Sequence, residues 1–227
     1  MQITGMLWGR KLLDLVEYPH SEVRGPELGV DDIQDMIKRH KEIFIKPVFK
    51  GGVGKKGKSG LIGRAKNVPD ALSEKERLYF ATHKIGNISA KSDGVTYEAA
   101  VPADHEVYFS ISDSTIHRSP AMTLTHHGGV DIEDLPEDKI AVVPFDSLTG
   151  LKAFHVSNAL VGLGAPTAII SPLVQNLPKL WDLYNNYGMT MLELNPIRMM
   201  PGKGGRYAPL ACDFKCAFDQ DDPAWKR

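Results

Sequence analysis

Apolar positions along the chain follow two periods, and the places where one gives way to the other outline the elements. Residues 4–16 repeat in the helical manner, with Leu7, Leu12, Leu13, Leu15 and Val16 available to a core, and Pro19 stops them. Residues 25–29, GPELG, form a turn, and Asp31 is placed to cap a second helix whose apolar face is Ile33, Met36 and Ile37. A β-branched and aromatic run, Ile43, Phe44, Ile45, Val48 and Phe49, predicts a strand, and Gly60-Leu61-Ile62-Gly63 a returning one. Pro69 and Asp70 open a third helix through Tyr79 and Lys84 that ends near Gly86. Two strands follow at 95–101 and 106–111, with Pro102 and Ala103 as a crossing point between two lobes.

Residues 115–125 are strand-like but broken at Pro120, 140–143 are short and apolar, and 151–163 are helical. One helix is predicted over 171–187, capped by Ser171, with Pro172 in its first turn and Leu173, Val174, Leu177, Leu180, Trp181 and Tyr184 on one face. Pro178 kinks or divides it. Residues 190–199 and 206–218 read as paired strands joined by a turn at 201–205. Helices alternating with strands argue for α/β or α+β layers over a helical bundle.

Composition changes this picture in one place. The 227 residues are 42% hydrophobic, enough for one or two domains, and carry a net charge of −1, so there is no global footprint for nucleic acid. No run approaches transmembrane length, and Arg10 and Lys11 interrupt the apolar residues near the start, so no signal peptide and no membrane association are expected. The two cysteines, Cys212 and Cys216, have neither CxxC nor disulfide-framework spacing and read as reduced core residues of a cytoplasmic protein. Positive charge is concentrated between Lys46 and Lys66: Lys46, Lys50, Lys55, Lys56, Lys58, Arg64 and Lys66, with six glycines and no acidic residue. Glycines let backbone N–H groups approach an anion closely while ammonium groups neutralise it, which suits a polyphosphate.

Within that stretch, Gly52 to Ser59 fits the P-loop pattern GxxxxGK[ST]. A P-loop needs a helix to begin at the Lys-Ser pair, and here Gly60 and Gly63 would cost such a helix roughly 2 kcal/mol. A strand, loop, strand hairpin lying over phosphates fits better. On the acidic side, Glu193 and Asn195 sit two apart on a predicted strand and share a face, with Asp213 on the neighbouring strand. Such oxygen ligands suit Mg²⁺, although Asn195 with Pro196 also reads as a turn. Asp213 and Lys215, alternating within an apolar strand, favour a buried polar site. Glu98 falls at the lobe crossing where an adenine would meet a hinge, and Glu106 can accept from ribose hydroxyls; both also read as strand residues facing water. His126 and His127, adjacent on a predicted strand, should point to opposite faces.

Together these residues resemble the nucleotide-binding β-chain of the succinyl-CoA synthetase superfamily, and within it the ATP-citrate lyase and citryl-CoA synthetase branch. The resemblance runs from about Ile43 onward. It rests on IFIKPVF leading into KKGKSGLIG, YEAAV with the glutamate of HEVYFSI, HHGGVDIED, LELNP and ACDFK, in that order. It implies an α+β ATP-grasp fold over 1–227, two α/β lobes enclosing a nucleotide site, with 23–100 as the smaller lobe and 1–22 plus 101–227 as the larger. It further implies ATP and Mg²⁺ as cofactors. Lys46 would contact the phosphates and Lys55, Lys56 and Gly57 cover them. The loop is about two residues longer than in relatives, so Gly52, Val53 and Gly54 are alternatives for that place. Glu98 and the Val101 backbone would meet the adenine, Glu106 the ribose, and Asn195 and Asp213 the Mg²⁺. In this family ATP phosphorylates a histidine on a partner subunit or domain, a carboxylate takes the phosphoryl group, and CoA displaces phosphate. The expectation is a hetero-oligomer with organic acid and CoA as substrates, the chain ending at Arg227 where such β-chains continue into a CoA-ligase domain. Other readings are an ATP-grasp ligase acting through an acyl phosphate, and a non-catalytic ATP-binding module.

Overall fold

The computed structural model describes residues 1–49, 60–85, 88–219 and 221. The glycine-rich residues Gly52, Val53, Gly54, Lys55, Lys56 and Gly57 lie outside the described residues. In chain order the elements are β1 (Gln2–Thr4), α1 (Met6–Asp14), β2 (Val23–Arg24), α2 (Val30–His40), β3 (Ile43–Pro47), β4 (Gly63–Ala65), α3 (Val68–Tyr79), β5 (Thr82–Ile85), β6 (Ile88–Lys91) and β7 (Val95–Ala99). After these come β8 (His105–Ser114), β9 (Ser119–Thr125), β10 (Ala141–Pro144), α4 (Ala153–Gly162), α5 (Thr167–Asn176), α6 (Lys179–Asn186), β11 (Met189–Pro201), β12 (Tyr207–Ala211) and β13 (Lys215–Phe218). The chain divides into two compact units, one of Met1–Ile3, Gly9–His20 and Pro102–Arg227, the other of Thr4–Trp8 and Ser21–Val101.

In the smaller unit the strand order is β2-β7-β3-β4, all antiparallel neighbours. Ile43 and Ile45 of β3 and Val95, Tyr97 and Ala99 of β7 point to one face, where they pack with Ile33 and Met36 of α2 and Ala71 and Leu78 of α3 in one buried cluster. The period-2 alternation of β3 therefore buries every second residue and leaves Phe44 and Lys46 to the other face. Helix α2 begins at Val30 with Gly29 as its cap residue, so Asp31 does not cap it; Asp31 and Asp32 instead lie in the first turn, where carboxylates favour the helix dipole. Helix α3 starts on Asn67, whose side chain accepts from Asp70 N at 2.9 Å, and stops at Tyr79. Residues 82–85, expected as its last turn, are strand β5, because Thr82 and Ile85 pair with β6 at Lys91 and Ile88.

Glu22 ties this unit together at its surface. The Arg39 guanidinium grips both its oxygens, and His40 and Arg24 add bonds at 2.7 and 3.1 Å. Arg39, then His40 and Arg24, hold its carboxyl down at about 2, from an ordinary value of 4.5, against the opposing pull of burial. A carboxyl depressed in the folded state contributes stability above its unfolded value and loses it as pH falls toward the folded one. Glu22→Gln should therefore flatten the acid limb of a stability–pH profile between pH 4.5 and 2 while leaving the slope above pH 5 unchanged.

The larger unit is built on a sheet ordered β1-β13-β11-β8-β9-β10, with β12 also pairing β11. Helix α6 packs on β11, α5 on β12, and α4 on β9, β10 and α5. The predicted helix over 171–187 is two helices. Pro178 is the residue before α6, so it divides the segment, and Leu177, Leu180, Leu183 and Tyr184 are all buried beside the break. Ser171 and Pro172 lie inside α5, which starts at Thr167, so neither serves as an N-terminal signal. The final predicted strand is also divided: β12 and β13 both pair with β11, and Cys212, Asp213 and Phe214 lie in the break between them. Both cysteines are free thiols, and burial pushes Cys216 up to about 12, an inert core group. Among the described residues no helix is long and apolar enough to cross a membrane.

Candidate functional site

In the smaller unit the chemistry lies on the sheet face opposite the helices. Phe44 pairs with Glu98 and Lys46 with Thr96, so Lys46 and Glu98 are diagonal neighbours on one face. Their charged ends meet at 2.5 Å, and the Thr96 hydroxyl donates to the second Glu98 oxygen at 3.2 Å. Glu98 is 4% exposed, a burial that a carboxylate tolerates only when its oxygens are matched, as the ammonium and the hydroxyl do here. Arg64, opposite Phe44 on β4, lies over the Phe44 ring at 5.3 Å. Val101, at the end of this unit, is buried. Strand β4 pairs back on β3, Ile45 against Gly63, and the next helix begins only at Val68. Among the described residues 60–67 there is no helix of the kind a P-loop would continue into after its Lys-Ser pair.

In the larger unit the site is organised around β8 and β11. Their ladder is antiparallel, with Glu193 opposite Ser110 and Arg198 opposite Glu106, and it shifts between Leu194 and Ile197. Asn195 and Pro196 occupy this irregularity, joined by a cis peptide bond. Freed from the ladder, the Asn195 side chain takes over a loop: its Oδ1 accepts from Gly129 N at 2.8 Å and its Nδ2 donates to Val130 O at 3.1 Å. Gly128 N donates to Glu106 O at 2.8 Å, so the segment after β9 is held to both strands. Glu106 itself accepts from Arg198 Nε at 2.8 Å, and one of its oxygens lies 2.0 Å from where a Cβ on Gly129 would stand. That oxygen ends a flexible side chain and could give way, but Gly129 has a φ of 75°, a left-handed conformation that favours glycine.

Asp213 lies in the break between β12 and β13, not on a strand as its neighbours' alternation suggests, and its Oδ1 accepts from Phe214 N at 2.9 Å. Cys212 N donates to Pro196 O at 3.0 Å, which sets the Asn195 and Asp213 backbones side by side. Glu193 keeps its place in the ladder, which shifts only after Leu194: it lies opposite Lys215 and accepts from Tyr108 OH at 3.2 Å. Burial raises its carboxyl above the ordinary range, partly offset by Lys215 and Tyr108, and the charges of Asp213 and Glu133 raise it further. Asp213 and Glu133 therefore lie near enough to Glu193 for their charges to act on it. Among the described residues no group of three or more His, Cys, Asp or Glu side chains could hold a metal alone. One carboxylate and one amide oxygen do suit Mg²⁺, which completes its shell with phosphate oxygens and water.

Two histidines behave differently from the expectation. Strand β9 ends at Thr125, so alternation no longer applies, and the His126 and His127 rings lie side by side, their centroids 4.2 Å apart and their planes tilted by 36°. His126 Nε2 is 3.2 Å from Leu163 O, while burial, then the charges of His126 and Lys139, lower His127. Residues not singled out from the sequence are Thr96, Tyr108 and Arg198. The available signal was a polar or charged side chain within an otherwise apolar strand.

A family model described as an ATP-grasp domain matches residues 16–199. Among curated proteins, the chain is 26% identical over 200 residues to the succinate–CoA ligase [ADP-forming] subunit beta of Desulfatibacillum aliphaticivorans, covering 86% of this chain and 51% of that protein. It is 28% identical over 204 residues to the ADP-forming sulfoacetate-CoA ligase subunit SauC of Bilophila wadsworthia, covering 88% and 51%. The chain thus spans about half the length of these curated relatives. Two solved structures share the fold. ATP citrate lyase from Methanothrix soehngenii, in complex with citrate and coenzyme A, superposes with a TM-score of 0.68 at 21% identity, covering 100% of this chain and 53% of that one. The dinucleotide-forming acetyl-coenzyme A synthetase 1 of Ca. Korarchaeum cryptofilum gives 0.73 at 13%, covering 96% and 93%. With the family match running from before the Lys46–Glu98 strands through the Asn195 irregularity, the chain belongs to the ATP-grasp domain family.

Proposed function

We propose that this chain is the nucleotide-binding part of an ATP-dependent acid–CoA ligase, of the succinyl-CoA synthetase or ATP-citrate lyase kind. The observation that carries this reading is the family match over residues 16–199, which takes in Lys46, Glu98, Glu106 and Asn195 and ends before Asp213. Lys46 and the glycine-rich residues Gly52, Val53, Gly54, Lys55, Lys56 and Gly57 neutralise the ATP phosphates. Glu106 receives the ribose hydroxyls, and the Val101 backbone receives the adenine. Asn195 and Asp213 hold Mg²⁺, which supplies charge neutralisation on the phosphate oxygens. The chain's part in catalysis is positioning and electrostatic stabilisation of a migrating phosphoryl group, which needs no covalent step on its own side chains.

The phosphoryl acceptor in this scheme is a histidine of a partner subunit or domain: the γ-phosphorus–oxygen bond of ATP breaks, ADP leaves, and a phosphorus–nitrogen bond forms. A carboxylate oxygen then takes the phosphoryl group, and the CoA thiol displaces phosphate to give the thioester. The curated relatives, ligase subunits about twice as long, support a partner or further domain that completes the assembly. Incubating the chain with γ-labelled ATP, Mg²⁺, CoA, a panel of di- and tricarboxylic acids and a CoA-binding partner subunit tests this. Label is expected on the partner's histidine and then in phosphate. Label retained on this chain's His126 or His127 would overturn the scheme.

A further inference from the structure

The Lys46–Glu98 pair assigns Glu98 a task at the phosphate end of the nucleotide. We propose that Glu98 is a positioning residue for Lys46, setting affinity for the polyphosphate and having no part in recognising the base, an inference that rests on the nucleotide reading above. Three observations carry it. The Glu98 carboxylate meets the Lys46 ammonium at 2.5 Å, and the pair is largely buried, with 16% of the Lys46 and 5% of the Glu98 side chain exposed. The remaining Glu98 oxygen accepts from the Thr96 hydroxyl at 3.2 Å, so both oxygens are engaged within the sheet face. Strand register makes the arrangement rigid, because Phe44–Glu98 and Lys46–Thr96 are alternate cross-strand pairs of the same ladder, two residues apart and on one face.

With only 5% of its side chain exposed, a carboxylate held in this way offers little open surface to a purine amino group. Its effect passes through the lysine. A lysine has a flexible four-carbon stem, and holding its ammonium against a fixed carboxylate removes rotamer freedom before the ligand arrives. The phosphates then meet a cation already in place. Removing one member of a buried pair takes a close counter-charge from the other, so removal of Glu98 should disorganise Lys46 more than it relieves repulsion of the incoming anion.

The test is a double-mutant cycle on ATP and GTP affinity by calorimetry, using the full chain as wild type, Glu98→Gln, Lys46→Met and the double variant. Glu98→Gln is expected to weaken ATP about tenfold, within the range of a charge-assisted contact, and to weaken GTP by the same factor, leaving their ratio unchanged. In the Lys46→Met background, Glu98→Gln should cause no further loss, the non-additivity of a residue acting through another. Thr96→Val, which keeps both charges and the side-chain shape, should give a smaller loss in the same direction and covers the case in which Lys46→Met fails to fold. A changed ATP-to-GTP ratio, additive losses, or tighter ATP binding by Glu98→Gln would overturn the positioning role. A wild-type chain that bound neither nucleotide would overturn the nucleotide reading, and this assignment with it.

Discussion

Asp213→Asn is expected to lower the affinity for Mg-ATP about 10- to 100-fold, the worth of one contact to a charged group, while leaving metal-free ATP binding unchanged. The substitution isolates charge from structure. Asp213 Oδ1 accepts from Phe214 N at 2.9 Å, and an asparagine oxygen can make the same bond, so the turn between β12 and β13 should persist. What disappears is a negative charge beside Asn195, whose own Oδ1 is already engaged by Gly129 N. A hard cation that draws only one or two oxygens from protein depends heavily on each of them. Titrating the variant with ATP in Mg²⁺ and again in EDTA separates the cases: equal losses in both would make Asp213 a structural residue.

Gly128→Ala is expected to destabilise the larger unit by about 1–3 kcal/mol, a melting-temperature fall of roughly 3–10 °C for a chain of this size. A Cβ at Gly128 would lie 2.6–2.7 Å from the backbone C, N and O of Val107. Those atoms belong to β8, paired on both sides and fully buried at Val107, so they have nowhere to move. The collision would push the Gly128–Val130 segment off Glu106 and Asn195, so Mg-ATP affinity should fall along with stability. Gly162→Ala provides the comparison, since a Cβ at that position, the last residue of α4, meets nothing within 4 Å. It should be neutral or slightly stabilising. Equal melting temperatures for the two variants would mean that Gly128 is not wedged against β8.

How far the sequence foretold these features follows from the range of the interactions involved. Amphipathic helices and the β3–β4 hairpin were legible because a single periodicity or a pair of glycines encodes them locally, though the returning strand lies at Gly63–Ala65 and not at the expected 60–63. The rejection of the P-loop was legible for the same reason, since Gly60 and Gly63 oppose a helix whatever the tertiary context. Pro178 was readable as a break, but the start of α5 at Thr167 was not, because Pro172 resembles a first-turn proline and lies instead within a helix supported by the buried Ile169 and Leu173. The division of the last strand at Asp213 depends on β12 and β13 both finding β11, a long-range pairing with no local mark. The close approach of the His126 and His127 rings escaped for a related reason: alternation holds only inside a strand, and β9 ends one residue earlier.

The candidate site was legible in its residue types more than in its partnerships. Lys46, Glu98, Glu106, Asn195 and Asp213 stood out as polar groups within apolar strands. Which of them touch is a matter of register. Glu98 meets Lys46 because of a diagonal across β3 and β7, and Glu106 meets Arg198 because β8 and β11 pair at that step. A sequence places such residues on a face but cannot supply the neighbouring strand.

On the proposed function, one Mg-ATP is bound through Lys46 and Asp213, with no P-loop. Calorimetric titration of the unmodified full chain with ATP in Mg²⁺, repeated for Lys46→Ala, Lys58→Ala and Asp213→Asn, tests it most directly. The account predicts a single site, weakened strongly by Lys46→Ala and Asp213→Asn and much less by Lys58→Ala. Abolition of binding by Lys58→Ala, with the other two variants binding as the parent does, would contradict it.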